Sequence, residues 1–223
     1  MNRTHREQYP IVNSTRVKIC GITRVEDARA AAVAGADAIG LVFYPKSSRY
    51  IERSAAANIA RVVGPFVTVV GLFVNATVED VTSTLSDVEL ALLQFHGDED
   101  ETFCKQFGRP YIKAIRMEPG LDVAEAMSQY PSARGFLFDA WNKDKYGGTG
   151  ETFEWNRMPD LNDLPYSNNN ALILAGGLTP DNVAEAVATT KPYAVDVSGG
   201  VEISPGIKSE QLIQQFIARA TAG

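Results

Sequence analysis

Cysteine and histidine are scarce in this chain, which has two of each: Cys20 and Cys104, His5 and His96. Two thiols make no disulfide framework, and no Cys/His cluster has zinc-ligand spacing, so neither a disulfide scaffold nor a metal is expected. Positive charge is also short. With 21 Lys and Arg against 27 Asp and Glu, the net charge is -6, leaving no basic stripe for nucleic acid or an anionic membrane; a small molecule is the expected partner. Long apolar runs are missing too. None approaches the roughly 20 residues that cross a bilayer, and Met1-Asn-Arg-Thr-His-Arg-Glu-Gln holds no apolar signal core. These absences lead to the expectation of a cytoplasmic protein. The spaced glycines of a dinucleotide fingerprint are likewise absent, because the first strand candidate runs into Cys20-Gly-Ile-Thr-Arg.

What the chain does have is a regular alternation of apolar strands and amphipathic helices. Residues 1–15 are polar and aperiodic and read as a flexible extension, and residues 16–223 as one domain without a linker. Strand candidates fall near 16–20, 38–43, 67–74, 90–95, 110–116, 135–139, 171–175 and 194–197. Helical stretches lie between them, for example Val25 to Ala34, Val78 to Leu85, Val123 to Gln129 and Glu210 to Ala220. Strict alternation implies parallel strands with right-handed crossovers, and eight such units predict an α/β fold, a closed (β/α)₈ TIM barrel. An open doubly wound sheet is the alternative. Pro159 to Asn170 reads as a surface loop. In a barrel the chemistry sits at the C-terminal strand ends.

Two strand ends run into glycine doublets: Ala171-Leu-Ile-Leu-Ala-Gly-Gly and Ala194-Val-Asp-Val-Ser-Gly-Gly. Glycine lets backbone N–H groups approach an anion closely, and a helix start adds further donors, so paired units of this kind suit a phosphorylated ligand. Gly176, Gly177, Gly199 and Gly200 form that grip. A third glycine-rich stretch, Tyr146-Gly-Gly-Thr-Gly with Gly148 and Gly150, either covers the ligand or is a plain turn.

Other strand ends carry reactive groups. Alternation places Lys18 and Cys20 on one face of the first strand and Val17 and Ile19 on the other. Cys20 then points into the barrel mouth as a candidate base or nucleophile, or else is a buried inert thiol. Asp139 ends the apolar strand Gly135-Phe-Leu-Phe-Asp. Burial favours the protonated form that a general acid needs, whereas a loop hydrogen bond is the plainer role. Asp196 lies inside the last strand and pairs with inward Lys18 if the barrel closes. Arg49 is either a clamp for a carboxylate or a solvated surface arginine. Gln94 and His96 share a face at the end of the fourth strand, where they line the site or hold a loop. Cys104, beside Phe103 and Phe107, reads as buried and inert.

Seven segments in order, Val17-Lys-Ile-Cys-Gly-Ile-Thr, Gly35-Ala-Asp-Ala-Ile-Gly-Leu-Val-Phe, Ser48-Arg-Tyr, Gln94-Phe-His-Gly-Asp-Glu, Gly147-Gly-Thr-Gly, Leu174-Ala-Gly-Gly-Leu and Val195-Asp-Val-Ser-Gly-Gly-Val-Glu, resemble the phosphoribosylanthranilate isomerase family of tryptophan biosynthesis. The resemblance runs from about Arg16 to the C-terminus. It implies a (β/α)₈ barrel that performs an Amadori rearrangement on a phosphoribosyl substrate without cofactor or metal, as a monomer or homodimer. It assigns Cys20 as general base, Asp139 as general acid and Arg49 to the anthranilate carboxylate. Gly148, Gly150, Gly176, Gly177, Gly199 and Gly200 become candidate phosphate contacts. Three positions depart from the family pattern: Gly199 stands where a serine is more usual, Lys46-Ser-Ser-Arg replaces a Ser-Pro-Arg run, and Ser209 stands where an aspartate is common. These bear on affinity rather than on reaction class. Two other readings stay open: a different phosphosugar-barrel enzyme, such as an aldolase using Lys18 or Lys113 as a Schiff-base lysine, and a non-catalytic phosphometabolite-binding barrel.

Overall fold

The computed structural model describes residues 14–140, Trp155, Met158 and 171–222. The expected extension lies outside the described residues except for Ser14 and Thr15. Gly148, Gly150 and the expected loop at 159–170 also lie outside them.

The eight strands are β1 (Arg16–Cys20), β2 (Ala38–Val42), β3 (Thr68–Phe73), β4 (Leu92–Phe95), β5 (Tyr111–Arg116), β6 (Gly135–Asp139), β7 (Ala171–Leu174) and β8 (Ala194–Val197). They form a closed barrel in sequence order, and the described pairings between neighbours are all parallel. Closure is made by β8 against β1, with Lys18 opposite Asp196. Helices α1 (Val25–Ala34), α2 (Arg53–Val62), α3 (Val78–Asp87), α4 (Glu101–Lys105) and α5 (Val123–Ser128) follow β1 to β5 in turn, and α6 (Val183–Thr190) and α7 (Glu210–Ala220) follow β7 and β8. Among the described residues, no helix is long and apolar enough to cross a membrane.

Local sequence sets several helix starts. Thr77 and Asp80 form a capping box on α3, and Asp100, Asp122 and Ser209 each accept a backbone N–H at the start of α4, α5 and α7. Each side chain satisfies a donor that the first helical turn leaves open.

The barrel wall separates two packing environments, as period-two alternation requires. Val17, Ile19, Phe136 and Phe138 point outward into the large cluster beneath the helices, whereas Leu137, Ile112 and Ile173 point inward. Phe73, Phe95, Phe103, Phe107 and Tyr111 pack as an aromatic column in that outer layer, with ring centroids 5.2 to 6.2 Å apart. Buried polar residues on the inner face are paired: Lys18 with Asp196 at 2.7 Å and Lys113 with Glu99 at 3.3 Å. One element has no counterpart in the expected strand and helix pattern. A short antiparallel hairpin, β9 (Glu202–Ser204) and β10 (Ile207–Lys208), is inserted between β8 and α7.

Candidate active site

At the C-terminal mouth of the barrel, Cys20, Arg49, Gln94, His96, Asp139, Asp196 and both glycine doublets line one cavity open to solvent.

Cys20 ends β1 and is 5% exposed. The thiol and the Lys18 stem press on the same point of β2, since a Cβ on Gly40 would lie 2.8 Å from Cys20 Sγ and 3.2 Å from Lys18 Cε. Burial pushes the Cys20 thiol up; the Lys18 and Lys208 ammonium groups oppose that rise and Asp196 adds to it. Burial acts downward on Lys18, but the Asp196 carboxylate and the Cys20 sulfur outweigh it and hold the amine charged. A Schiff-base lysine needs a neutral amine. Lys18 is held in the opposite state. Lys113, the other aldolase candidate, is tied into a separate buried cluster with Glu99 and the Gly97 carbonyl.

Asp139 ends β6 and is 6% exposed. Its Oδ1 accepts the Ala140 backbone N–H at 2.9 Å, and its Oδ2 lies 3.1 Å from His96 Nε2. His96 Nδ1 in turn lies 3.0 Å from Gln94 Nε2. Gln94 and His96 thus reach Asp139 as a chain across the mouth. The loop hydrogen bond and the cavity position, alternatives in the sequence, both occur.

Arg49 is placed by a cluster that sequence reasoning did not assign. Its Nε and Nη2 each donate to Glu202 at 2.8 Å, a bidentate pair, and Glu202 also accepts from Lys208 Nζ at 2.8 Å. The Arg49 side chain is only 14% exposed. The solvated alternative therefore fails, because the β9 carboxylate draws the guanidinium down into the mouth. Hydrogen bonding to Glu202 raises Arg49, burial opposing it. Burial acts upward on Glu202, but Arg49 and Lys208 bring the net shift below the ordinary carboxylate range. Two Nη1 donors and one Nη2 donor stay outside that pair, enough to meet an incoming carboxylate.

The glycine doublets form the floor between the two reactive strands. Gly176 and Gly177 take consecutive left-handed conformations, φ 81° and 60°, in the turn after β7. Asn182 braces that turn by accepting from Thr179 N–H and donating to the Gly177 carbonyl. Gly199 opens a 3₁₀ turn, Gly199–Val201, after β8. A Cβ on Gly200 would lie 1.9 Å from the Leu178 carbonyl oxygen, so the turns after β7 and β8 are in direct contact. Going around the barrel, β7 and β8 are the only strands between β6 and β1 on that side. The Asp139 carboxyl and the Cys20 thiol therefore flank the doublets. Among the described residues, no group of three or more His, Cys, Asp or Glu could hold a metal ion.

Residues 17–219 match the family described as N-(5'-phosphoribosyl)anthranilate (PRA) isomerase. The chain belongs to this family. A relative from Cellvibrio japonicus, N-(5'-phosphoribosyl)anthranilate isomerase, is 52% identical over 209 residues, covering 94% of each chain. The crystal structure of phosphoribosyl anthranilate isomerase from Thermus thermophilus aligns with TM-score 0.80 at 37% identity, covering 92% of this chain and 98% of that one. A further phosphoribosyl anthranilate isomerase structure, in complex with reduced 1-(o-carboxyphenylamino)-1-deoxyribulose 5-phosphate, aligns with TM-score 0.76 at 39% identity, covering 92% of this chain and 98% of that one.

Within the isomerase family pattern, all three of this chain's departures have local reasons. A Cβ at Gly199 would lie 3.2 Å from Arg49 Nη2, so glycine there gives the guanidinium room. Ser209 caps α7 by accepting the Leu212 N–H at 3.3 Å, a role that aspartate and serine both fill. For Lys46-Ser-Ser-Arg, the Ser47 hydroxyl accepts the Arg49 N–H at 3.1 Å and closes the loop. Glu202 and Lys208 were within reach of the sequence as part of Gly-Gly-Val-Glu and its sequel, but nothing in the sequence shows that Glu202 accepts from both Arg49 and Lys208.

Proposed function

We propose that this chain isomerises N-(5-phosphoribosyl)anthranilate to 1-(2-carboxyphenylamino)-1-deoxyribulose 5-phosphate, with Asp139 as general acid and Cys20 as general base. Residues 16–223 act as one catalytic domain in this reading. The observation that carries it is the flanking arrangement: a buried carboxyl on β6 and a buried thiol on β1 face one cavity across the glycine turns of β7 and β8.

The chemistry follows from that geometry. Gly176, Gly177, Gly199 and Gly200 hold the phosphate with backbone donors, and Arg49 meets the anthranilate carboxylate with its free guanidinium edge. The ribose then spans the gap between Asp139 and Cys20. Asp139 protonates the furanose ring oxygen, the C1′–O bond breaks, and the aniline nitrogen lone pair forms the C=N bond of a protonated Schiff base. The Cys20 thiolate removes the C2′ proton, and the electron pair flows into the iminium to give an enolamine. Ketonisation moves a proton from the C2′ hydroxyl to C1′ and yields the product. Lys18 stabilises the thiolate at the moment it is needed. Both catalytic groups, Arg49 and the described phosphate turns come from a single chain, so a monomer or a homodimer serves equally. Gly148 and Gly150 complete the phosphate contacts in this reading.

The test is kinetic. Cys20→Ala and Asp139→Asn each reduce kcat by at least about 10²-fold, the contribution of one acid or base group, while a phosphoribosyl ligand still binds in a calorimetric titration. Near wild-type turnover in either variant removes that residue from its role.

A further inference from the structure

Gln94, His96 and Asp139 form a hydrogen-bonded chain whose members are 0%, 5% and 6% exposed. The Asp139 carboxylate only accepts, and its Oδ1 is already bonded to the Ala140 N–H. With the Gln94 NH₂ set against Nδ1, the His96 nitrogen facing Oδ2 carries the hydrogen whether Asp139 is ionised or protonated. A neutral imidazole with Nε2–H has a lone pair on Nδ1, and the group presented to that lone pair is the Gln94 NH₂, at 3.0 Å. Each step demands the next. The cost falls on Gln94 Oε1, which is buried and has no hydrogen-bond partner among the described residues.

We propose that Gln94 locks His96 in the Nε2–H tautomer, making His96 a donor-only positioning residue that keeps the acid proton of Asp139 directed into the cavity. His96 Nε2–H and Ala140 N–H each take one lone pair of the carboxyl group. The remaining lone pairs face the cavity, and a proton held there is directed toward a bound substrate. In the opposite tautomer, His96 Nε2 would accept, and along the 3.1 Å contact it would draw that proton away from the ring oxygen. The unpartnered Gln94 carbonyl is the counterpart of this lock: turning the amide over would set Oε1 against Nδ1, where it accepts from an Nδ1–H and selects the other tautomer. The inference rests on the reading of Asp139 as the acid.

The experiment is nitrogen-15 NMR of the full chain labelled at histidine. Only two histidines are present, so comparison with a His96→Asn variant identifies the His96 signals. The wild type shows Nε2 protonated and Nδ1 unprotonated at neutral pH; an Nδ1–H tautomer or an imidazolium would overturn the proposal. In Gln94→Leu the Nδ1–H form becomes populated, and kcat falls by about 10- to 10²-fold with KM changed by less than about twofold. Wild-type kcat in Gln94→Leu also overturns it. If that variant does not fold, the wild-type spectrum decides by itself. A fully active Asp139→Asn enzyme would sink the acid assignment yet leave the tautomer result standing, so the two failures are distinguishable.

Discussion

In its proposed role as base, Cys20 depends on a charge buried two residues away. Desolvation at this depth disfavours the thiolate and keeps the thiol shifted up, and Lys18, clamped by Asp196 at 2.7 Å, is the group that most opposes that penalty. In Lys18→Met, the pH at which Cys20 reacts with iodoacetamide moves upward relative to wild type, because the lost ammonium no longer opposes burial and Asp196 is left unpaired. Cys104 does not interfere, since burial pushes its thiol up to about 12. An unchanged alkylation profile would contradict the assigned role of Lys18. Candidates on the strands were legible as residues: alternation alone puts Lys18, Cys20 and Asp196 on the inner face, and the pairing follows once β8 meets β1. The pair that sets Arg49 was not. Arg49 and Glu202 are 153 positions apart, and Glu202 sits on a hairpin whose three-residue strand carries no periodic signal.

At the scale of elements, the positions of the strands follow from short apolar runs bounded by turn residues, and the structure keeps each within a residue or two of its expected place. The hairpin β9–β10 escaped because its strands are short and mostly polar, and of their two large apolar residues Ile203 is 71% exposed and Ile207 only partly buried, unlike a buried strand. It is nonetheless the element that delivers both Glu202 and Lys208 to the mouth. The contact between the β7 and β8 turns is the second feature hidden from the sequence. A methyl group on Gly200 would overlap the Leu178 carbonyl, so Gly200→Ala forces the turns after β7 and β8, the proposed phosphate site, apart. It raises KM for the phosphoribosyl substrate and costs about 1–3 kcal/mol of stability, as overpacking does, measured by urea denaturation alongside steady-state kinetics. An unchanged KM would place the phosphate elsewhere.

For the whole molecule, closure of the barrel is what turns separate strand ends into a site. Residues 20 and 139 are distant in sequence, and only an eight-stranded ring puts two glycine-bearing strands between them on one side. The order of the strands was readable from their alternation with helices; the closeness of their ends depends on closure. The central claim is that this one cavity opens the furanose ring and moves the C2′ hydrogen. It is tested most directly by incubating the purified chain with N-(5-phosphoribosyl)anthranilate in deuterated buffer and following product formation and isotope content together. The account predicts complete conversion to the carboxyphenylamino-deoxyribulose phosphate, with deuterium from the solvent entering at C1′ and the C2′ hydrogen released, and with both processes lost in Cys20→Ala. Folded wild-type protein that leaves the substrate unchanged, or product that retains the C2′ hydrogen quantitatively at C1′, would contradict it.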